Sequence, residues 1–185
     1  MKRIFAVLCL LLLLSGCAGQ QDEMDRALAL RSKLQAQNTQ FDAVITADYG
    51  DKTYTFSAQC QVDSGGDLTF TVSAPQTISG ITGTMTASGG KLTFDGKALS
   101  FPLLADGQIT PVSAPWVLMK TLRSGYLTSC GREGELIRVA IDDSYADDAL
   151  HLDVWLDQND LPMRGEILWK GRRILSIEVK NFCFV

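Results

Sequence analysis

The sequence predicts an α+β chain, mainly β, in which one long, strongly curved antiparallel sheet carries an N-terminal helix and a second helix across its concave face. Three observations predict it. Apolar and polar residues alternate with a period of two over most of the stretch from Phe41 to Val185. Short turn clusters such as Asp63-Ser64-Gly65-Gly66, Asp95-Gly96 and Lys170-Gly171 separate the alternating runs. Only two segments, Asp22 to Gln37 and Ser113 to Gly125, have a helical period instead.

The chain opens on an export signal. Lys2 and Arg3 precede an uninterrupted apolar run from Ile4 to Leu14, too short for a spanning helix of about 20 residues. Leu14-Ser15-Gly16-Cys17 then looks like a bacterial lipobox, so residues 1–16 read as the signal peptide and Cys17 as the lipid attachment site, with diacylglyceryl on its thiol. The alternative is ordinary secretion with an unmodified thiol. Residues 17–21 form the lipidated tether, about 15 Å long if Ala18 to Gln21 are extended, and 22–185 the folded domain.

That length suits a single core. Loss of Lys2 and Arg3 with the signal lowers 17 basic residues to 15 against 21 acidic ones, a formal charge of −6. An acidic domain argues against nucleic acid, whose binding needs clustered Lys and Arg, and against a basic patch on anionic lipid. Membrane contact is therefore expected through the Cys17 anchor. Cys60, Cys130 and Cys183 are too few and scattered for a disulfide framework or a metal motif, and any one pair of them could bridge in an oxidising compartment.

Asp22, Glu23 and Asp25 in the first turn and Arg31 and Lys33 later suit a helix dipole, and Met24, Ala27, Leu28, Leu30 and Leu34 share a face. Arg31 falls within that face, either with a buried partner or snorkelling outward. Phe41, Ala43, Ile45 and Ala47 begin the period of two, and after Tyr49-Gly50-Asp51-Lys52 it resumes in Tyr54, Phe56, Ala58, Cys60 and Val62. Leu68, Phe70, Val72 and Ala74 repeat it. The Thr- and Gly-rich stretch from Ile78 to Ser88 suggests strong sheet curvature. Leu92 to Phe94 and Ala98 to Phe101 are short strands. Ser113 as cap, Pro115 in the first turn and Gly125 as stop then frame a helix bearing Trp116, Leu118, Met119 and Leu122 on one side. Strands follow at Tyr126 to Gly131, Glu135 to Ile141, Leu150 to Leu156, Met163 to Trp169 and Ile174 to Val185, ten or eleven in all, and a sheet that long curls.

Three features together resemble the lipoprotein-localisation (LolA/LolB-like) superfamily: the helix Asp22 to Gln37 running into Phe41-Asp42-Ala43-Val44; the meander around Trp116 to Ser124; and Asp160-Leu161-Pro162 followed by Glu166-Ile167-Leu168, Lys170-Gly171-Arg172-Arg173 and Val179-Lys180-Asn181-Phe182. The resemblance implies an open half-barrel with an inserted lid helix over an apolar cavity, and a lipid, acylated protein or other apolar ligand. A protein held by so short a tether is expected to act as an anchored acceptor or a single-membrane envelope lipoprotein, on the extracytoplasmic side. Tyr54, Phe56, Phe70, Val72, Trp116, Met119, Leu122 and Trp169 are the candidate cavity residues. They equally suit a solid core, in which case the alternative is an envelope scaffold that docks a protein partner and binds nothing small.

No catalytic residue, cofactor or metal is expected. Nucleophile elbow, phosphate loop and HExxH are absent from the sequence, and the only histidine, His151, alternates onto the polar face of its strand. Asp142, Asp143, Asp147 and Asp148 lack calcium-loop spacing and read as a solvated hairpin tip.

Overall fold

The computed structural model describes residues 18–101, 104–105 and 108–185; the signal segment and Cys17 lie outside them. Helix α1 spans Ala18–Ala36, and six strands follow: β1 (Thr39–Asp48), β2 (Thr53–Val62), β3 (Leu68–Ala74), β4 (Thr82–Thr86), β5 (Gly89–Phe94) and β6 (Lys97–Phe101). A small hairpin, β7 (Leu104–Ala105) and β8 (Gln108–Ile109), and a 3-10 turn lead into α2 (Ala114–Ser124). The chain ends in β9 (Tyr126–Glu133), β10 (Leu136–Asp142), β11 (Leu150–Leu156), β12 (Pro162–Trp169) and β13 (Arg172–Phe184).

Eleven strands make one antiparallel sheet in the order β6-β5-β4-β3-β2-β1-β13-β12-β11-β10-β9. Two meanders, β1–β6 and β9–β13, are therefore fused where the first strand pairs with the last, Ile45 opposite Ile177. The ends β6 and β9 do not pair with each other, so the barrel stays open. Ile45, Ala47, Leu68, Met85, Val139, Leu152, Val154, Ile167 and Ile177 all point to the concave side and are fully buried there, as the period of two demands. Twist alone would curve so long a sheet, and glycines let it close further. A Cβ at Gly83 would fall inside the Phe70 ring of the neighbouring strand, which fills the space the glycine leaves.

Helix α2 lies across the concave face. Every residue from Ala114 to Met119, with Thr121 and Leu122, is buried, so this helix is a plug within the core. Gly165 on β12 admits it: a Cβ there would lie 2.9 Å from Leu118. Ser113 does not cap it as expected, because its hydroxyl turns back to donate to the Thr110 carbonyl at 2.6 Å.

Helix α1 starts four residues before the expected boundary, so residues 18–21 are its first turn, about 6 Å of helix in place of an extended tether. Its buried seam is Glu23, Ala27, Leu30 and Leu34, with Met24 beside it; Leu28, expected on that face, is exposed. The apolar wheel pointed to Leu28 because it gave no weight to a buried acid. Glu23 enters the seam because Arg132 of β9 pairs with it at 2.8 Å. Among the described residues no helix is long and apolar enough to cross a membrane.

Candidate functional site

The two ends of the strands differ. At one end lie the turns β2–β3 (Asp63 to Asp67) and β11–β12 (Asp157 to Leu161), and α1 is fastened along it. Arg26 reaches Asp160 at 2.6 Å and the Gln158 carbonyl, while the helix C-terminus meets the β2–β3 turn through Asn38, whose side-chain oxygen accepts from Ser64 N–H at 2.8 Å. We call this the base. The opposite end, the mouth, carries the turns β1–β2 and β12–β13 and the long β10–β11 loop.

Six hydrogen bonds hold α2 at the base. Arg123 donates to the carbonyls of Leu34, Asp63 and Ser64, and Trp116 Nε1 donates to the Gly66 carbonyl at 3.1 Å. In return Arg31 Nε and Gln35 Nε2 donate to the carbonyls of Leu122 and Arg123, at 2.8 and 2.7 Å. The C-terminal carbonyls of a helix favour a cation. Arg31 thus neither finds an acidic partner nor snorkels: it caps α2. Burial lowers its pKa, and the nearby Cys130 acts in the opposite direction.

Phe56, Phe70, Val72, Trp116, Met119 and Leu122 come together in one buried cluster. The helix occupies the space between them. Tyr54 lies elsewhere, half exposed at the start of β2, with its ring edge against Tyr49. Trp169 is at the mouth.

There the helix stops short and the concave face stays open, as a cleft of about 770 Å³. That size falls within the range of small-molecule pockets, about 300–1,000 Å³. Its floor is Tyr49, Ile109, Leu150, Trp169, Ile174 and Leu175, and its rim is Asp48, Asp51, Asp143, Asp148, Lys170 and Arg172. Leu150 continues the inward row Leu152, Val154, Leu156 one step past the cover. Lys170 holds its ammonium 4.5 Å over the Trp169 ring, and Arg172 faces Asp48 at 3.9 Å. Asp143 accepts the Leu150 N–H at 2.9 Å, which fixes the loop to the strand. Burial, with Tyr54 nearby, pushes the Tyr49 hydroxyl up. Of these residues the sequence pointed to Trp169 alone; Leu150 was visible as an inward strand residue, but nothing local says where the helix ends over it.

A second groove of about 720 Å³ crosses the outer face of β13 and β1–β5, lined largely by Gln, Thr, Asp and Asn side chains. It offers mainly hydrogen bonds, with Phe41, Cys60 and Phe70 as its few apolar lining residues. His151 also faces outward, with Nδ1 2.7 Å from Asp142 and Nε2 3.5 Å from Asp153. Among the described residues no cluster of His, Cys, Asp and Glu could hold a metal ion. The thiols of Cys60, Cys130 and Cys183 are all free. Burial, with Asp42 nearby, pushes Cys60 up to about 12.

No protein-family model matches the chain, and no curated protein matches it. Among solved structures it is similar to an uncharacterised conserved protein from Thermus thermophilus, at 14% identity over 89% of this chain and 86% of that one, with a TM-score of 0.49. It is similar to a LolA superfamily protein from Nitrosomonas europaea, at 10% identity over 84% and 92% of the two chains and a TM-score of 0.44. The lipoprotein LppX of Mycobacterium tuberculosis matches at 14% identity over 87% and 93%, with a TM-score of 0.43. What the chain itself establishes is the architecture, an unclosed eleven-stranded antiparallel sheet around an inserted helix.

Proposed function

We propose that this protein is an envelope lipoprotein, anchored by acyl groups on Cys17, which binds or accepts the apolar chain of a lipid, an acylated protein or another apolar ligand at the mouth of its half-barrel. The observation that carries the reading is the cleft itself: a concave, apolar floor continuous with the core and rimmed by charge. Each methylene a ligand buries there contributes about 0.8 kcal/mol. A chain that pushed deeper would have to displace α2. Its six base hydrogen bonds, at about 1 kcal/mol each, are offset only by seven or eight buried methylenes. Short chains therefore stop at the mouth, and long or paired chains move the helix.

The anchor supports the same reading. Helix α1 begins one residue after Cys17, and its Arg26 is tied to the base turn at Asp160. The mouth lies at the other end of β11, whose seven residues span about 20 Å at roughly 3.3 Å each. A protein fastened at the base presents its cleft away from the bilayer that holds it.

Native mass spectrometry of the mature protein extracted from cells tests the proposal. The expected result is a diacylglyceryl mass on Cys17 and a co-purifying lipid or acylated chain that Leu150→Arg displaces. An unmodified Cys17, or bound lipid that Leu150→Arg leaves in place, contradicts it. A second reading rests on the filled concave face under α2: an envelope scaffold that docks a protein and no small ligand. Recovery of a stoichiometric protein partner and no lipid would favour it.

A further inference from the structure

We propose that the mouth cleft selects a lipid-like amphiphile whose polar end carries a positive charge. This rests on the apolar-ligand reading above and adds the chemistry of the head group. Among the charged residues of the rim, four are acidic and two basic. Both basic groups are already engaged, Arg172 with Asp48 and Lys170 over the Trp169 ring. Asp51, Asp143 and Asp148 have no Lys or Arg within ion-pair distance among the described residues.

An apolar tail laid on Leu150, Trp169, Ile174 and Leu175 brings its head group to this rim. There an anionic head meets like charge, and a neutral one gains nothing from it. A cationic head is drawn in, the more so because the apolar floor keeps part of the solvent away. Trp169 adds a second attraction. Its face already takes a cation, and an ammonium from a ligand fits where the Lys170 ammonium now sits.

The test uses two photoreactive dodecyl amphiphiles with the same diazirine-bearing tail, one ending in trimethylammonium and the other in sulfate. Each is added to the mature lipoprotein in nanodiscs of uncharged phosphatidylcholine. Labelling of the peptides that contain Leu150 and Trp169 to Leu175 is read by mass spectrometry. The proposal expects the ammonium form to label about fivefold more than the sulfate form, a preference that shrinks in high salt. It expects the preference to fall toward parity in Asp51→Asn/Asp148→Asn, whose side chains accept no hydrogen bond among the described residues. Lys170→Ala should increase ammonium labelling. Equal labelling, a sulfate preference, or a preference unchanged in the double variant overturns the head-group proposal and leaves the apolar-ligand reading standing. No labelling by either compound overturns both.

Discussion

The base and the mouth of the half-barrel are built from the same strands and the same inward-facing apolar rows, and they end in opposite states. Toward the base, Leu152, Val154 and Leu156 of β11 are fully buried in the core that α2 helps to fill, and Arg123, Trp116, Arg31 and Gln35 lock that helix to its surroundings. Toward the mouth, Leu150 of the same row is half exposed in a cleft ringed by acids. The strand pattern does not distinguish the two. What decides between core and site is where an eleven-residue helix lies over the sheet.

The comparison can be broken most directly within β11. Leu152→Ala, which deletes a fully buried side chain, should cost about 3 kcal/mol in urea denaturation, whereas Leu150→Ala, one step along the same face, should cost about 1 kcal/mol or less. Equal costs would mean that the mouth is as tightly packed as the core. A smaller effect separates the two arginines. Arg123→Ala strips three backbone carbonyls of their donor and should cost about 2 kcal/mol; Arg172→Ala loses one exposed pair at 3.9 Å and should cost under about 0.5 kcal/mol.

The pH limbs contrast two groups of opposite sign. Partial burial raises the Glu166 pKa, but hydrogen bonds from Arg173 and Arg164 and their charges outweigh it, and the carboxyl lies below its ordinary 4.5. Its contribution is therefore present above about pH 4.5 and lost as pH falls through the depressed value, so Glu166→Gln should flatten the acid limb of a stability profile. Cys60 has the opposite sign. Its pKa is raised from 9.0 to about 12, so its contribution is complete below pH 9 and disappears as pH rises toward 12. Cys60→Ala should remove that alkaline loss.

Much of the sheet was legible because alternation is a local property. The range Leu150 to Leu156 emerges with the same bounds, and Asp95-Gly96 forms the expected tight turn, with φ of 49° and 71°. Between Ile78 and Ser88 the reading was less sharp. Only Thr82–Thr86 forms a strand: Gly80, at a φ of 87°, sits in the turn before it, and Gly83 leaves space for the Phe70 ring of the neighbouring strand. The helices were located but not oriented. Glu23 displaced Leu28 from the buried seam through an arginine more than a hundred residues away, a partnership no local period reveals. The site was the least legible part for the same reason. Tyr49, Ile109, Leu150, Ile174 and Leu175 come from distant segments, and only the folded sheet brings them to one cleft, which no residue of α2 lines.

Methyl-resolved NMR of the Leu, Ile and Val side chains during addition of a single-chain C12 acyl ligand tests the central claim most directly. The methyls of Leu150, Ile174, Leu175 and Ile109 should shift first, while those of Leu118, Leu122 and Leu152 stay in place. Shifts that begin at Leu118 and Leu122, or that avoid the mouth altogether, would contradict the account.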